Sequence, residues 1–125
     1  MPESKTRFRV VATLLVLWWV TIFVATHIPA QNLPTTPVGD KTEHYVAYGI
    51  LAFLTCLVFR LRGTSALRSA VMTLAVCAAY GAFDELTQPF FNRVADVWDW
   101  VADVVGAASG TLICTALLWA ISKSK

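Results

Sequence analysis

Four long apolar stretches, separated by short polar segments, dominate the chain. The first runs from about residue 8 to 26 through VVATLLVLWWVTIFVA, and the second from about 44 to 59 through YVAYGILAFLTCLVF. A third covers about 66 to 83, and the fourth about 98 to 121, with Asp99 and Asp103 in its first turns. A membrane-spanning helix needs about 20 mostly apolar residues, and all four stretches are near that length. Period-2 alternation, the mark of barrel strands, is missing, and in lipid only helices and closed barrels satisfy the backbone. The pattern predicts an all-α polytopic membrane protein, a bundle of four transmembrane helices forming one domain over residues 1–125.

Composition agrees. The chain of 125 residues is 57% hydrophobic and 14% charged, whereas a soluble domain carries about a quarter charged residues. A soluble fold this small leaves too much surface exposed to hide so many apolar groups. Abundant aromatic and β-branched residues exclude disorder. A net charge of +2 gives no sign of a nucleic-acid partner. Cys56, Cys77 and Cys114 lie inside apolar runs without metal or redox spacing and behave as small hydrophobes.

The charges are unevenly placed. Lys5, Arg7 and Arg9 precede the first span, Arg60, Arg62 and Arg68 separate the second from the third, and Lys123 and Lys125 follow the fourth. Eight of the ten basic residues thus fall on one face, which the positive-inside rule makes cytoplasmic, together with both termini. With Glu3 that face carries a net +7; the outer face sets Lys41 and Arg93 against seven acids, a net −5. The first span also has the form of a signal peptide, but Trp18-Trp19 in mid-run and the lack of an A-x-A site before Gln31 argue against cleavage. Tyr45, Tyr48, Phe90, Phe91, Trp98 and Trp100 gather at the outer ends of the spans, where amphipathic rings settle. Ala102, Gly106 and Gly110 put small side chains on one helix face; they serve close helix contact, within the chain or between two copies in a homo-oligomer.

Unusual polar residues occur in two outer segments. One is Asp40-Lys41-Thr42-Glu43-His44-Tyr45, continuing to Tyr48-Gly49; the other starts at Asp84-Glu85 and passes Gln88, Arg93, Asp96, Asp99 and Asp103 to Gly106. Ionisable groups beside a bilayer are costly and mark function by default. His44 and Tyr48 share a helix face, as do Glu85 and Gln88, and Asp96, Asp99 and Asp103 form one stripe.

These segments fit D-K-x-x-H-[FY]-x-x-Y-[GL] opening one span, then D-E-x-x-Q-x-F, an Arg, and D-x-x-x-[ND]-x-x-G opening a later one. In that pattern the chain resembles the VanZ-like family over roughly residues 10 to 121. Asp103 stands where the family usually has Asn, and Pro89-Phe90-Phe91-Asn92 fills the loop before the Arg. The family is named for a membrane protein associated with resistance to the glycopeptide teicoplanin. The resemblance implies a cell-membrane address and an outer-face site, and no particular reaction.

From the residues, His44 and Glu85 form a candidate proton-active pair, with Asp40, Lys41, Tyr48, Gln88, Arg93, Asp99 and Asp103 as binding groups. Arg93 and Lys41 either neutralise the acids or hold a phosphate, and Arg93 with Glu85 or Asp99 equally makes a structural ion pair. His44, Glu85, Asp96 and Asp99 would suit a hard cation, but no repeated ligand spacing marks a metal site, and neither metal nor cofactor is expected. His27 marks the end of the first span, and Asp96 is a solvated loop residue. Ser-x-x-Lys, G-x-S-x-G and HExxH motifs are absent, as is a glycine-rich phosphate loop. Three functions stay open. The protein binds or acts on an envelope lipid or peptidoglycan-related group, in cell-envelope biology linked to glycopeptide tolerance; it is a small transporter or proton relay; or it is a structural assembly partner. Beyond the lipid bilayer, the expected partner is that envelope group.

Overall fold

The computed structural model describes residues 2–124; Lys125, one of the basic residues counted above, lies outside them, as does Met1. Among the described residues there are four α-helices: α1 (Pro2–His27), α2 (Asp40–Leu61), α3 (Ala66–Thr87) and α4 (Val97–Lys123). Each is long and apolar enough to cross a membrane. All four overrun the apolar runs read from sequence. Apolarity ends at the first charges, whereas the helices continue through Asp40 to Glu43 and through Asp84 to Thr87. Those charged turns stay helical because their side chains find partners across the bundle.

Polarity is distributed inside out. Leu14, Leu67, Val71, Leu112 and Trp119 are exposed, while Thr73, Asp84 and Asp103 are completely buried. Lipid tails are as apolar as leucine, so polar contacts and close packing, rather than burial of hydrophobics, hold such helices together. Cys56, Cys77 and Cys114 are buried and unpaired, as expected of small core residues.

Local signals set the turns. Gly63, at φ +83°, ends α2 in the left-handed conformation that glycine adopts without strain, and the Thr64 N–H returns to the Phe59 carbonyl at 3.1 Å. Ser65 then caps α3 by accepting from the Arg68 N–H. At the far end of α3, a short 3₁₀ turn (Gln88–Phe91) closes at Asn92, itself left-handed at φ 55°. Asp96 caps α4, its carboxylate accepting from the Trp98 N–H at 2.9 Å.

The tightest helix pair is α2 with α4. A Cβ added at Gly106 would collide with the Tyr45 carbonyl, and one at Gly110 with the Gly49 carbonyl. The small-residue seam therefore works inside the chain. Of the two alternatives, contact within the chain and contact between copies, these glycines serve the first: α2 covers Gly106 and Gly110, backbone against backbone. Tyr45 Oη donates to Ser109 Oγ at 2.9 Å across the same seam. Trp18 Nε1 bonds the Ala47 carbonyl at 2.9 Å and fixes α1 on α2, and Trp100 Nε1 bonds the Ala78 carbonyl at 3.0 Å and fixes α4 on α3.

Gly106→Ala and Gly110→Ala are each expected to destabilise the bundle by about 1–3 kcal/mol, the usual cost of overpacking. Gly39→Ala, where a Cβ meets nothing within 4 Å, is expected to be neutral. Thermal unfolding followed by circular dichroism in micelles checks the contrast.

Candidate functional site

The helix ends that carry both motifs converge. α2 contributes Asp40, Lys41, His44 and Tyr48 from its first turns; α3 brings Asp84 and Glu85 at its last turn, and α4 brings Asp99 and Asp103 at its start. His44 lies at the centre. One ring nitrogen, Nδ1, is 2.8 Å from Asp103 Oδ1, and the other, Nε2, is 4.0 Å from Asp99 Oδ2. Both carboxylates and the imidazole are buried. The i, i+4 spacing of Asp99 and Asp103 lets α4 present an acid to each side of the ring.

Among the described residues Glu85 is held by hydrogen-bond donors. Its Oε2 accepts from the Asp96 N–H at 2.8 Å and its Oε1 from Gln88 Nε2 at 3.2 Å. Gln88, 1% exposed, also approaches Asp84 Oδ2 at 3.5 Å, so one amide spans two carboxylates. Lys41 Nζ bridges Asp96 Oδ2 at 2.9 Å and Asp99 Oδ1 at 3.0 Å, tying α2 to the start of α4. This contact corrects the view of Asp96 as a merely solvated loop residue. It is also the α4 cap, and the Lys41 ammonium holds its carboxyl below the ordinary aspartate range.

Arg93 departs furthest from expectation. Among the described residues it pairs with neither Glu85 nor Asp99. After the turn at Asn92, its Nη1 donates to the carbonyls of Ile28 at 3.3 Å and Ala25 at 3.5 Å, at the end of α1. Carbonyls without helical partners and the negative end of the helix dipole attract a guanidinium there. Sequence spacing gives no hint of that partner, because α1 lies more than 60 positions away.

A second polar cluster lies at the end of α1. His27 ends the first span and is also buried. Its Nε2 meets Thr87 Oγ1 at 2.8 Å, its Nδ1 meets the Phe23 carbonyl at 2.8 Å, and Asp84 Oδ1 lies 3.6 Å from that nitrogen. Thr26 Oγ1 donates to Asp84 at 2.8 Å. The adjacent Thr26-His27 pair was the available signal: two hydrogen-bonding side chains at the end of an apolar run call for a partner on another helix. Asp84 and Asp103, both 0% exposed, also lie deeper than the rim position their place at the span ends suggests.

A cavity of about 310 Å³ opens between α1, α2 and the segment joining them. Trp18, Ile22, Ala25 and Ala47 give it apolar walls, and Asp40, His44 and Arg93 lie at its polar side. Tyr48 also lines it, with a buried hydroxyl that has no hydrogen-bond partner among the described residues. Two trios of ligating atoms, each lying within 4.8 Å of one another, share His44: Asp40 with Asp99, and Glu85 with Asp103.

Four apolar helices enclosing a cluster of buried acids and histidines define a small multi-pass membrane protein. The chain belongs to the VanZ/LLP1 family, which it matches over residues 6–119. It is similar to an uncharacterized protein of Schizosaccharomyces pombe, 25% identical over 115 residues that cover 90% of this chain and 69% of that protein. No solved structure matches it.

Lys41→Met is expected to move the Asp96 carboxyl upward, because the ammonium is the largest cause of its depression, ahead of the Trp98 N–H that caps the same carboxylate. Carbon-13 NMR titration of labelled aspartates reads the shift, and an unchanged Asp96 would show that the bridge contributes nothing.

Proposed function

We propose that this VanZ-family protein binds a phosphate group carried on an apolar chain, as in an envelope lipid or a lipid-linked peptidoglycan unit. The observation that carries the proposal is the two-sided cavity between α1 and α2. Its walls at Trp18, Ile22 and Ala47 suit an acyl or isoprenoid chain, and its polar lining holds the guanidinium of Arg93 and the imidazole of His44 beside the carboxylates of Asp40 and Glu43. Arg93 spends only Nη1 on the α1 carbonyls, so the rest of its planar fork is available to phosphate oxygens. His44 and Glu85 are the pair suited to proton exchange with the bound group, and Asp103 orients the ring of His44. Asp40, Lys41, Tyr48, Gln88 and Asp99 complete the surroundings.

On this reading the site faces the outer leaflet, with the basic loops and both termini in the cytoplasm. The protein then acts on the cell envelope and contributes to glycopeptide tolerance, the property with which the protein that gives the family its name is associated. A proton relay is the second reading. One observation favours it: below the acids, Thr73 and Thr111 are buried with hydroxyls that have no hydrogen-bond partner among the described residues. Proton flux into liposomes carrying the protein separates it from the first.

Native mass spectrometry of protein released from phosphatidylglycerol nanodiscs tests the lipid reading. Wild type is expected to retain phosphatidylglycerol, and Arg93→Gln to retain it about tenfold less, the effect of losing one charge-assisted contact. Arg93→Lys keeps the charge at the end of α1 while losing the fork, and is expected to fall between them. Equal retention by all three, at equal helix content, contradicts the reading.

A further inference from the structure

His44, Glu85 and Asp103 come from three different helices and are all buried, with one ligating atom of each lying within 4.8 Å of the others. Metal–oxygen distances of about 2.1–2.6 Å place opposite ligands of one ion about 4–5 Å apart, so the trio has the dimensions of a coordination site. Within the trio two carboxylates share one imidazole, that of His44, which can offset at most one of them. Lys41 bridges Asp96 and Asp99, and Arg93, whose Nη1 reaches the α1 carbonyls, forms an ion pair with neither Glu85 nor Asp103 among the described residues. Buried charge without a counter-ion is strongly disfavoured.

An orphaned atom points the same way. Asp103 is 0% exposed, its Oδ1 faces His44, and its Oδ2 has no hydrogen-bond partner among the described residues. Beside that oxygen α3 carries Gly81; a Cβ there would lie 2.9 Å from Oδ2 and crowd it. Glu85 has the outer partners typical of a ligand, with the Gln88 amide on one oxygen and the Asp96 N–H on the other.

We propose that His44, Glu85 and Asp103 hold one divalent cation, with Asp99 and Asp40 near the same imidazole. One imidazole nitrogen among carboxylate oxygens suits a hard or borderline ion of the manganese or magnesium kind, and no thiolate is in the set. The ion takes the place of the proton that His44 and Glu85 would otherwise exchange. It also offsets the two buried carboxylates and turns open coordination positions toward the cavity.

Protein purified in lipid-free micelles and stripped by a chelator, then titrated with Mn2+ and followed by loss of the free-ion electron paramagnetic resonance signal, tests the site. One Mn2+ per chain is expected, with Asp103→Asn and Glu85→Gln each weakening binding at least tenfold. Glu43→Gln, an exposed acid paired with Thr36, should leave binding unchanged. On wild-type protein, spin-echo modulation from a single imidazole nitrogen is expected, a readout independent of how any variant folds. Absence of Mn2+ uptake, or uptake without nitrogen coupling that ignores both substitutions, overturns the proposal. Because no lipid is present, ion binding without phosphatidylglycerol retention would refute the lipid reading alone.

Discussion

The contact between His44 Nδ1 and Asp103 Oδ1, at 2.8 Å and shielded from water, governs the end of the bundle where the motifs meet. A carboxylate that leaves water must find donors or positive charge, and in a bilayer it finds them on a neighbouring helix or not at all. Asp103 takes the imidazole of α2, Asp84 takes Thr26 of α1, and Glu85 takes the backbone of the turn leading into α4. Each acid thereby joins two segments of chain. The ends of the helices are held by the polar groups that cost most to bury.

Close approach of α2 and α4 makes that contact feasible. Gly106 lies three residues beyond Asp103, and at that level the α4 backbone meets the Tyr45 carbonyl without an intervening side chain. A methyl group there would push the helices apart, and His44, next to Tyr45, would be drawn away from Asp103. Packing and chemistry are thus coupled through one glycine. The same economy holds at Asp96, which caps α4, anchors Lys41 and gives its N–H to Glu85. The cavity between α1 and α2 sits beside this network, with Arg93 joining its wall to the end of α1.

Much of this was legible in the chain. Four apolar runs are enough to predict four helices, because lipid imposes both their length and their hydrogen bonding. The motif residues were legible because charges at span ends are too costly to be incidental, and His44, Glu85, Asp99 and Asp103 do meet. What stayed hidden was pairing across helices. Spacing tells which residues share a face and says nothing of what that face meets, so the partners of Arg93 and the role of His27 were out of reach. The glycine seam was visible as a pattern, but its partner was not, since a second copy and a neighbouring helix offer the same backbone. Helix ends stay hidden for a related reason: apolarity stops where charge begins, whereas helical hydrogen bonding continues as long as the charged side chains are satisfied.

The central claim is that His44 is held by Asp103 through Nδ1. Nitrogen-15 NMR of the labelled imidazole in bilayers tests it most directly. The account predicts a protonated, strongly hydrogen-bonded Nδ1 resonance in the wild-type protein that shifts in Asp103→Asn and does not shift in Glu43→Gln. A ring whose two nitrogens resemble free imidazole in water, and which does not respond to Asp103→Asn, would contradict it.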